Sequence, residues 1–212
     1  MLNSPRRNCV VITSEITRDK VRPLVSMLEA SKWRVRVISH LPSGEELSGG
    51  STTLLLSHHN GQLICQEQID AVDGRCYNVH PSLLPLNRGS SPIMWASLRR
   101  TLYGVSIHQV NVKIDQGALV AQEVLEVDED KPLAQIYRDH EAVWYKMLDD
   151  LTSRDSWLES PRDLTRPSLV QGFGTYNSRA ASERAFQCFS SGWQTIARVA
   201  REEYLSRYGL ED

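Results

Sequence analysis

The sequence has no long apolar run. Stretches such as Cys9–Ile12 and Leu54–Leu56 are uninterrupted, but both are far shorter than the roughly 20 residues that a membrane-spanning helix needs. Near the N-terminus, the apolar stretch behind a pair of arginines breaks at Thr13–Glu15, before the apolar region of a secretory signal peptide would be complete. We therefore expect a cytoplasmic protein with no membrane partner.

An excess of positive charge is also missing. The 212 residues contain 24 Lys and Arg against 26 Asp and Glu, for a net charge of −2, whereas binding to a phosphate backbone draws on a positive surface. The arginines near the C-terminus alternate with glutamates, which favours a solvated helix face. We therefore expect no nucleic-acid partner. The residues concerned are Arg198, Arg201 and Arg207 with Glu202 and Glu203.

Paired cysteines are absent as well. The four cysteines have no CxxC spacing, which predicts reduced thiols rather than a disulfide framework. His58, His59 and Cys65 do not form a metal-binding pattern, because adjacent strand residues point to opposite faces and no fourth ligand follows at a recognisable spacing. The sequence predicts no metal, and a chain of this length can bury a core without one.

The first half of the chain alternates strand and helix patterns, which is typical of a parallel sheet. A helix from an N-cap at Thr17 to Ser31 follows the first strand, and a short helix at Cys65–Ala71 follows the third. The segment Pro42–Ser51 is rich in Pro, Ser and Gly and predicts a loop. The predicted strands are Asn8–Thr13, Trp33–Ile38, Thr52–Ser57 and Arg75–Val79.

The second half changes character. It predicts a helix from Pro92 to Leu102, an antiparallel hairpin of Val105–Val112 and Ala118–Val127, and a long amphipathic helix between Leu133 and Leu151. Ser153–Ser178 predicts loops, and a closing helix follows Gly192. The apolar residues on one side of this last helix suit either core packing or a homodimer surface: Trp193, Ile196 and Tyr204.

These patterns together predict an α/β fold. We expect a Rossmann-like mixed sheet, mostly parallel and flanked by helices, within one domain over residues 1–154. A short irregular and helical C-terminal appendage is expected over residues 155–212.

Asn78 and His80 stand two residues apart at the end of the fourth predicted strand. Residues i and i+2 of a strand point to the same face, so an amide and an imidazole are expected to converge there. In the predicted hairpin loop, Asp115 is followed by Gln116 and Gly117, and glycine allows the backbone to turn close to a ligand. Amide and imidazolium groups can donate to a developing oxyanion, while a carboxylate beside an imidazole favours its charged form. These residue types therefore suit acyl transfer to an amine.

Three segments resemble the folate-dependent formyltransferase family, and their order and spacing match over about Leu54 to Ala142. They are His80-Pro-Ser-Leu-Leu-Pro85 with Arg88-Gly89, then Gly104-Val-Ser-Ile-His108, then Ile114-Asp-Gln-Gly117. The resemblance implies a formyltransferase-type fold with catalytic Asn78, His80 and Asp115. It also implies a cis peptide bond at Leu84-Pro85.

The resemblance implies 10-formyltetrahydrofolate as the formyl donor, released as tetrahydrofolate. The pterin ring is then expected to be held largely by backbone groups of two loops. The residues that correspond to them here are Gln62, Leu63, Ile64, Val112, Lys113 and Ile114. Substrate contacts are expected from Asn87 and Arg88, and from His108 on the following strand.

The acceptor is expected to be the primary amine of a small molecule. The place of the glycine-rich phosphate loop of the glycinamide ribonucleotide enzyme reads Thr13-Ser-Glu-Ile-Thr17 here, with no glycine to cradle a phosphate. The short tail and the net charge argue against a transfer-RNA acceptor. Asn87 before Arg88, followed by Trp95, resembles the sugar formyltransferases, as does Gly174-Thr-Tyr-Asn177. A nucleotide-linked amino sugar is therefore the expected acceptor.

Three alternatives stay open at this point. The acceptor could be an amino-acid or siderophore precursor such as hydroxyornithine, or glycinamide ribonucleotide. The chain could also be a non-catalytic folate-binding relative, although such a protein has no need for all three residues of the triad in register.

Overall fold

The structure is a computed structural model that describes residues 7–158, 160–161, 165–172 and 174–209. Its main element is a six-stranded sheet of order β2-β1-β3-β4-β6-β7, and a two-residue strand pair, β5 with β8, lies outside it. The strands are β1 (Asn8–Ile12), β2 (Arg34–Ile38), β3 (Leu54–Ser57), β4 (Cys76–His80), β5 (Arg88–Gly89), β6 (Tyr103–Gln109), β7 (Leu119–Leu125) and β8 (Tyr176–Asn177).

The sheet is parallel on one side and antiparallel on the other. β1 pairs in parallel with β2 and β3, and β3 pairs in parallel with β4. The next strand, β6, runs antiparallel to β4. The N–H of Val110 donates to the carbonyl of Cys76, and His108, two residues earlier, lies beside Asn78, two residues later. β6 and β7 form the predicted hairpin, with Gln109 N–H donating to the carbonyl of Ala118. The mixed, mostly parallel sheet expected from the sequence is confirmed.

The helices are α1 (Arg22–Ala30), α2 (Gly44–Gly49), α3 (Gln66–Asp70), α4 (Pro92–Arg99), α5 (Leu133–Ser153), α6 (Arg179–Phe186) and α7 (Ala197–Tyr208). The long helix expected between Leu133 and Leu151 is confirmed as α5. Within the described ranges, no helix combines the length and the apolar character needed to cross a membrane.

Two local predictions about helices are wrong. The first α-helix begins at Arg22 rather than behind Thr17, which lies inside a 3₁₀ helix, Glu15–Val21. The hydroxyl of Thr17 bonds to those of Thr13 and Ser14 and so does not cap a helix. The predicted loop Pro42–Ser51 contains α2, which begins with a capping box in which Ser43 and Glu46 bond to each other's backbone N–H.

Contacts divide the chain into two compact units. The first contains the chain up to Val79, Ile107–Ala121 and Tyr145–Pro167. β3, buried at every position, lies at its centre, as expected of a parallel strand covered on both faces. Its core cluster consists of Val10, Ile12, Leu47, Leu55, Ile64, Ile69, Val72 and Cys76.

The second unit contains His80–Ser106, Gln122–Trp144 and the chain from Ser168. Its core joins α4 and the start of α5 to α6 and α7, so residues near the C-terminus contribute to it. The N–H of the buried Arg201 guanidinium donates to the carbonyl of Ser97, which ties α7 to α4. The buried residues of this cluster are Ile93, Met94, Trp95, Ala96, Leu98, Tyr103, Leu133, Ile136, Ala185, Phe189, Ala197 and Ala200.

Candidate active site

Asn78 lies in β4 beside Ser57 of β3, and its side chain is directed towards β6. The amide nitrogen, Nδ2, is 3.2 Å from Nε2 of His108. Because Asn78 is half-buried and His108 is buried, this contact holds the amide in place at the junction of the parallel and antiparallel parts of the sheet.

His108 connects Asn78 to Asp115. Its Nδ1 is 2.9 Å from the carbonyl oxygen of Gln109, and since a carbonyl only accepts, Nδ1 carries a hydrogen. In the neutral ring, Nε2 is then an acceptor for the amide of Asn78. The carboxylate of Asp115 lies 3.4 Å from the same Nε2, where it can compensate the charge of a protonated ring. His108 thus lies between two residues of the predicted triad.

The hairpin loop brings Asp115 into this position. Asp115 has a φ of 50°, a left-handed conformation that Asp tolerates better than most residues. At Gly117, an added Cβ would lie 1.6 Å from the carbonyl oxygen of Gln109, so any side chain would prevent this turn. The expectation that glycine lets the backbone turn closely here agrees with this geometry.

His80, the third predicted catalytic residue, is two residues beyond Asn78 in β4, where strand geometry places it on the same face. Its ring is buried, and Nε2 is 3.0 Å from the carbonyl oxygen of Asn87. Nε2 therefore carries a hydrogen and donates it to that carbonyl.

The six residues predicted to bind folate lie in two loops of the first unit, after β3 and after β6. Their large apolar side chains are exposed at Leu63 (72%), Val112 (62%) and Ile114 (37%), whereas Ile64 is buried in the core. Gln62 and Lys113 are exposed. Contact of these two loops with a folate stays a prediction.

An asparagine side chain braces each of these loops. Asn60 donates to the carbonyl of Gln62 and accepts from its N–H, both at 3.0 Å. Asn111 accepts from the N–H of Lys113 at 2.9 Å and donates to the carbonyl of Gln116 at 3.0 Å. Neither asparagine was predicted as a site residue, although asparagine followed by turn-forming residues is a signal for such bonds.

The residues predicted to contact the acceptor are Asn87, Arg88 and His108. The peptide bond Leu84-Pro85 is cis, as the resemblance implies. Asn87 is fully buried, and its side-chain Nδ2 donates to the hydroxyl of Thr101 at 2.8 Å. Arg88 is half-buried, with Nε 3.4 Å from the carbonyl oxygen of Thr175. Contact of these side chains with an acceptor stays a prediction.

The adjacent histidines after β3 pack on each other. The ring centroids of His58 and His59 are 4.2 Å apart, and Tyr145 meets His58 edge-on. Burial lowers the pKa of His58 well below its usual value and that of His59 to about 4, with the charge of Lys20 adding to both shifts. Across the described part of the chain, there is no group of three side chains that could hold a metal ion.

The chain is similar to known proteins both in sequence and in structure. A methionyl-tRNA formyltransferase from Borrelia turicatae is 37% identical over 86 residues, which cover 40% of this chain. The match spans only 28% of that relative's length.

Solved structures resemble a larger part of the chain. The formyltransferase PseJ from Anoxybacillus kamchatkensis, in complex with UDP-4,6-dideoxy-4-formamido-L-AltNAc and tetrahydrofolate, superposes with a TM-score of 0.71 at 18% identity, covering 93% of this chain and 99% of that one. A 4-N formyltransferase from Francisella tularensis gives 0.72 at 19% identity, covering 95% and 88%. At these identities the likeness establishes the fold.

The family follows from a match to the sequence itself. The sequence model described as "Formyl transferase" matches residues 22–149. This range includes the two loops predicted to bind the formyl donor and the predicted catalytic triad. Because the match extends over more than half of the 212 residues, this protein belongs to the formyl transferase family.

Proposed function

We propose that this protein transfers the formyl group of 10-formyltetrahydrofolate to the primary amine of a nucleotide-linked amino sugar. The observation that carries the proposal is the contact of His108 with both Asn78 and Asp115. It joins an oxyanion donor to a carboxylate that can accept a proton.

The donor supplies an activated formyl carbon: the acceptor nitrogen bonds to this carbon, the bond from the carbon to N10 breaks, and one amine proton ends on N10. Negative charge develops on the formyl oxygen during this exchange. Asn78 has two amide hydrogens, of which His108 accepts one, and the other donates to the developing charge. Protonated His80 donates to the same oxygen, and such preorganised donors stabilise the transition state strongly.

Asp115 moves the proton. Its carboxylate is only 12% exposed and lies against His108, so it takes a proton from the attacking amine, through water, and passes it on as the donor leaves. Without this step the amine would keep a positive charge and revert to the starting materials.

Two observations support a sugar nucleotide as the acceptor. After β1, the hydroxyl of Thr17 bonds to those of Thr13 and Ser14, and no glycine stands among residues 13–17. This supports an acceptor other than a ribonucleotide held by a glycine-rich phosphate loop. The structural neighbour that contains a UDP-linked formamido sugar and tetrahydrofolate supports a sugar nucleotide.

A panel assay tests the proposal. Purified protein is incubated with 10-formyltetrahydrofolate and, separately, with nucleotide-linked amino sugars, glycinamide ribonucleotide and hydroxyornithine, while release of tetrahydrofolate is followed. We expect release only with an amino-sugar nucleotide. Release of tetrahydrofolate with one of the other amines would support formyl transfer but contradict an amino-sugar nucleotide as the acceptor. Folate binding without release in any mixture would support a non-catalytic folate-binding protein.

The triad is tested by single substitutions with a matched control. Asn78→Asp replaces the donating amide by a carboxylate of the same shape, and we expect turnover to fall by roughly a hundredfold or more. His80→Ala and Asp115→Ala should have losses of similar order. Asn8→Asp makes the same chemical change at the start of β1 and should leave turnover unchanged. Near-normal turnover in His80→Ala would contradict the mechanism.

A further inference from the structure

The segment Gly174–Asn177 lies along the loop that follows His80. The N–H of Thr175 donates to the carbonyl of Pro85 at 3.2 Å, and the carbonyl of Thr175 accepts from the N–H of Arg88 at 2.9 Å. β5 and β8 then pair in parallel. At Gly89, with a φ of +88°, an added Cβ would lie 2.2 Å from the carbonyl oxygen of Asn177. The two segments therefore fit each other at backbone distance.

This contact surrounds Asn87. The hydroxyl of Thr175 accepts from the N–H of Asn87 at 2.7 Å and donates to its Oδ1 at 3.4 Å. On the other side, Thr101 accepts from Nδ2 of Asn87 at 2.8 Å, and Arg99 donates to Oδ1 at 3.3 Å. Asn87 is 0% exposed and has a φ of 51°, so these bonds hold it in a conformation that few other residues adopt.

The carbonyl of this immobilised residue is the partner of His80. Because the carbonyl of Asn87 accepts from Nε2 of His80 at 3.0 Å, Nε2 keeps its hydrogen in both the neutral and the charged ring. The proton that His80 gains or loses is therefore the one on Nδ1. If the carbonyl moved, the two neutral tautomers of the ring would become closer in energy, and Nδ1 would carry the hydrogen in part of the molecules.

We propose that Thr175 and Asn87 are positioning residues for His80: they fix the carbonyl that binds Nε2–H and so assign proton exchange, and donation to the formyl oxygen, to Nδ1. The second half of this statement rests on the proposed function. The role differs from the substrate contact expected of Asn87, because it acts through the backbone of Asn87 rather than through its side chain.

The test combines an NMR measurement with kinetics. Thr175→Val removes the hydroxyl at constant shape, Thr175→Ser retains it, and Thr101→Val disturbs Asn87 from the opposite side. Thr195→Val is the matched control, since Thr195 is buried and its hydroxyl also accepts from a backbone N–H, that of Ser191, at 3.2 Å. Ring-nitrogen spectra of labelled protein, assigned with His80→Gln, report the tautomer of His80 whether or not the protein turns over.

We expect wild-type His80 to show a single neutral form with hydrogen on Nε2. In Thr175→Val and Thr101→Val, a second tautomer should appear and kcat should fall roughly tenfold, as for the loss of one hydrogen bond, while the KM for the donor stays within about twofold. Thr175→Ser should restore both readouts.

Hydrogen on Nδ1 in the neutral wild-type ring would overturn the proposal. An unchanged tautomer of His80 and an unchanged kcat in both Thr175→Val and Thr101→Val would also overturn it. Both variants are needed because the remaining hydrogen bonds to Asn87 could compensate for the loss of one. If the tautomer shifts in the variants but wild-type protein transfers no formyl group to any acceptor, the positioning role is supported and the proposed function fails.

Discussion

His58 and His59 show how burial tunes single residues. Both residues directly follow β3 in the sequence. Burial lowers the pKa of His59 to about 4. Between pH 6.5 and about 4, the unfolded chain therefore binds protons at these rings that the folded chain does not bind. Stability must rise with pH across this window, since the unfolded state holds more protons there.

We expect the free energy of unfolding to decrease as pH falls from about 6.5 to 4, with His59 accounting for about 3 kcal/mol of the loss. In His59→Asn, where Asn tolerates the φ of 54°, the decrease should be smaller by that amount. Urea unfolding at several pH values measures it. His40→Asn at an exposed position should retain the full wild-type slope, and an equal slope in His59→Asn would argue against the burial effect.

His108 is a residue whose role the structure sharpens. The sequence predicts a substrate contact, whereas the structure places its Nε2 3.2 Å from Asn78 and 3.4 Å from Asp115. His108→Leu keeps much of the volume and removes both polar contacts. If His108 orients these two proposed catalytic groups, kcat should fall roughly a hundredfold with little change in the KM of the acceptor.

Steady-state kinetics with the best acceptor of the panel separates the two roles of His108. A direct substrate contact predicts the opposite pattern, a raised KM with kcat nearly unchanged. Gln109→Leu, at the neighbouring position, removes a side chain that donates to the carbonyl of Gly74 instead, and it should affect stability more than either kinetic constant.

At the scale of the elements, asparagine side chains brace the two loops that are predicted to bind the formyl donor. Asn60→Ala removes both side-chain bonds to Gln62, and Asn111→Ala removes the bonds to Lys113 and Gln116. Because a flexible loop must be ordered on binding, we expect each variant to raise the KM for the donor about fivefold to tenfold while kcat stays within about twofold.

Donor titration followed by fluorescence, beside the kinetics, distinguishes this effect from a loss of folding. Asn8→Ala is the control for the loss of an asparagine that bonds to a backbone carbonyl elsewhere. Unchanged donor affinity in both brace variants would mean that these loops do not hold the folate.

The sequence predicted the elements whose signals are local and strong. The hairpin, the long helix α5 and Pro92 at the first position of α4 are all present, because periodicity and proline act within a few residues. The capping box of α2 at Ser43 and Glu46 is an equally local signal. The prolines, serines and glycines of the same segment nevertheless led to the prediction of a loop. α6 has a cap at Ser178 but a polar exterior, so its short apolar face gave little periodicity.

At the scale of the whole molecule, residues far apart in sequence form each unit. The domain boundary after residue 154 stays a proposal, and the second unit provides a test of it. Ala185, Phe189, Ala197 and Ala200 belong to the same cluster as Trp95. A fragment of residues 1–154 lacks these four residues, and we expect it to lose the near-ultraviolet signal of Trp95 and cooperative unfolding of that unit.

Point variants of the intact chain check the same idea. Phe189→Ala should lower the free energy of unfolding by about 3–5 kcal/mol, since Phe189 is 7% exposed. Tyr208→Ala, at a half-exposed position of α7, should change it by less than about 0.5 kcal/mol. A cooperatively folded 1–154 fragment would instead support the boundary expected from the sequence.

The sequence by itself determined the fold class, the family and the candidate catalytic residue types, because these depend on local periodicity and on short motifs whose order is preserved along the chain. Only the tertiary structure decided that His108 lies between Asn78 and Asp115 and that Thr175 holds the loop after His80. Thr175 lies 95 positions after His80, and pairing across such a distance leaves no periodic trace in the sequence.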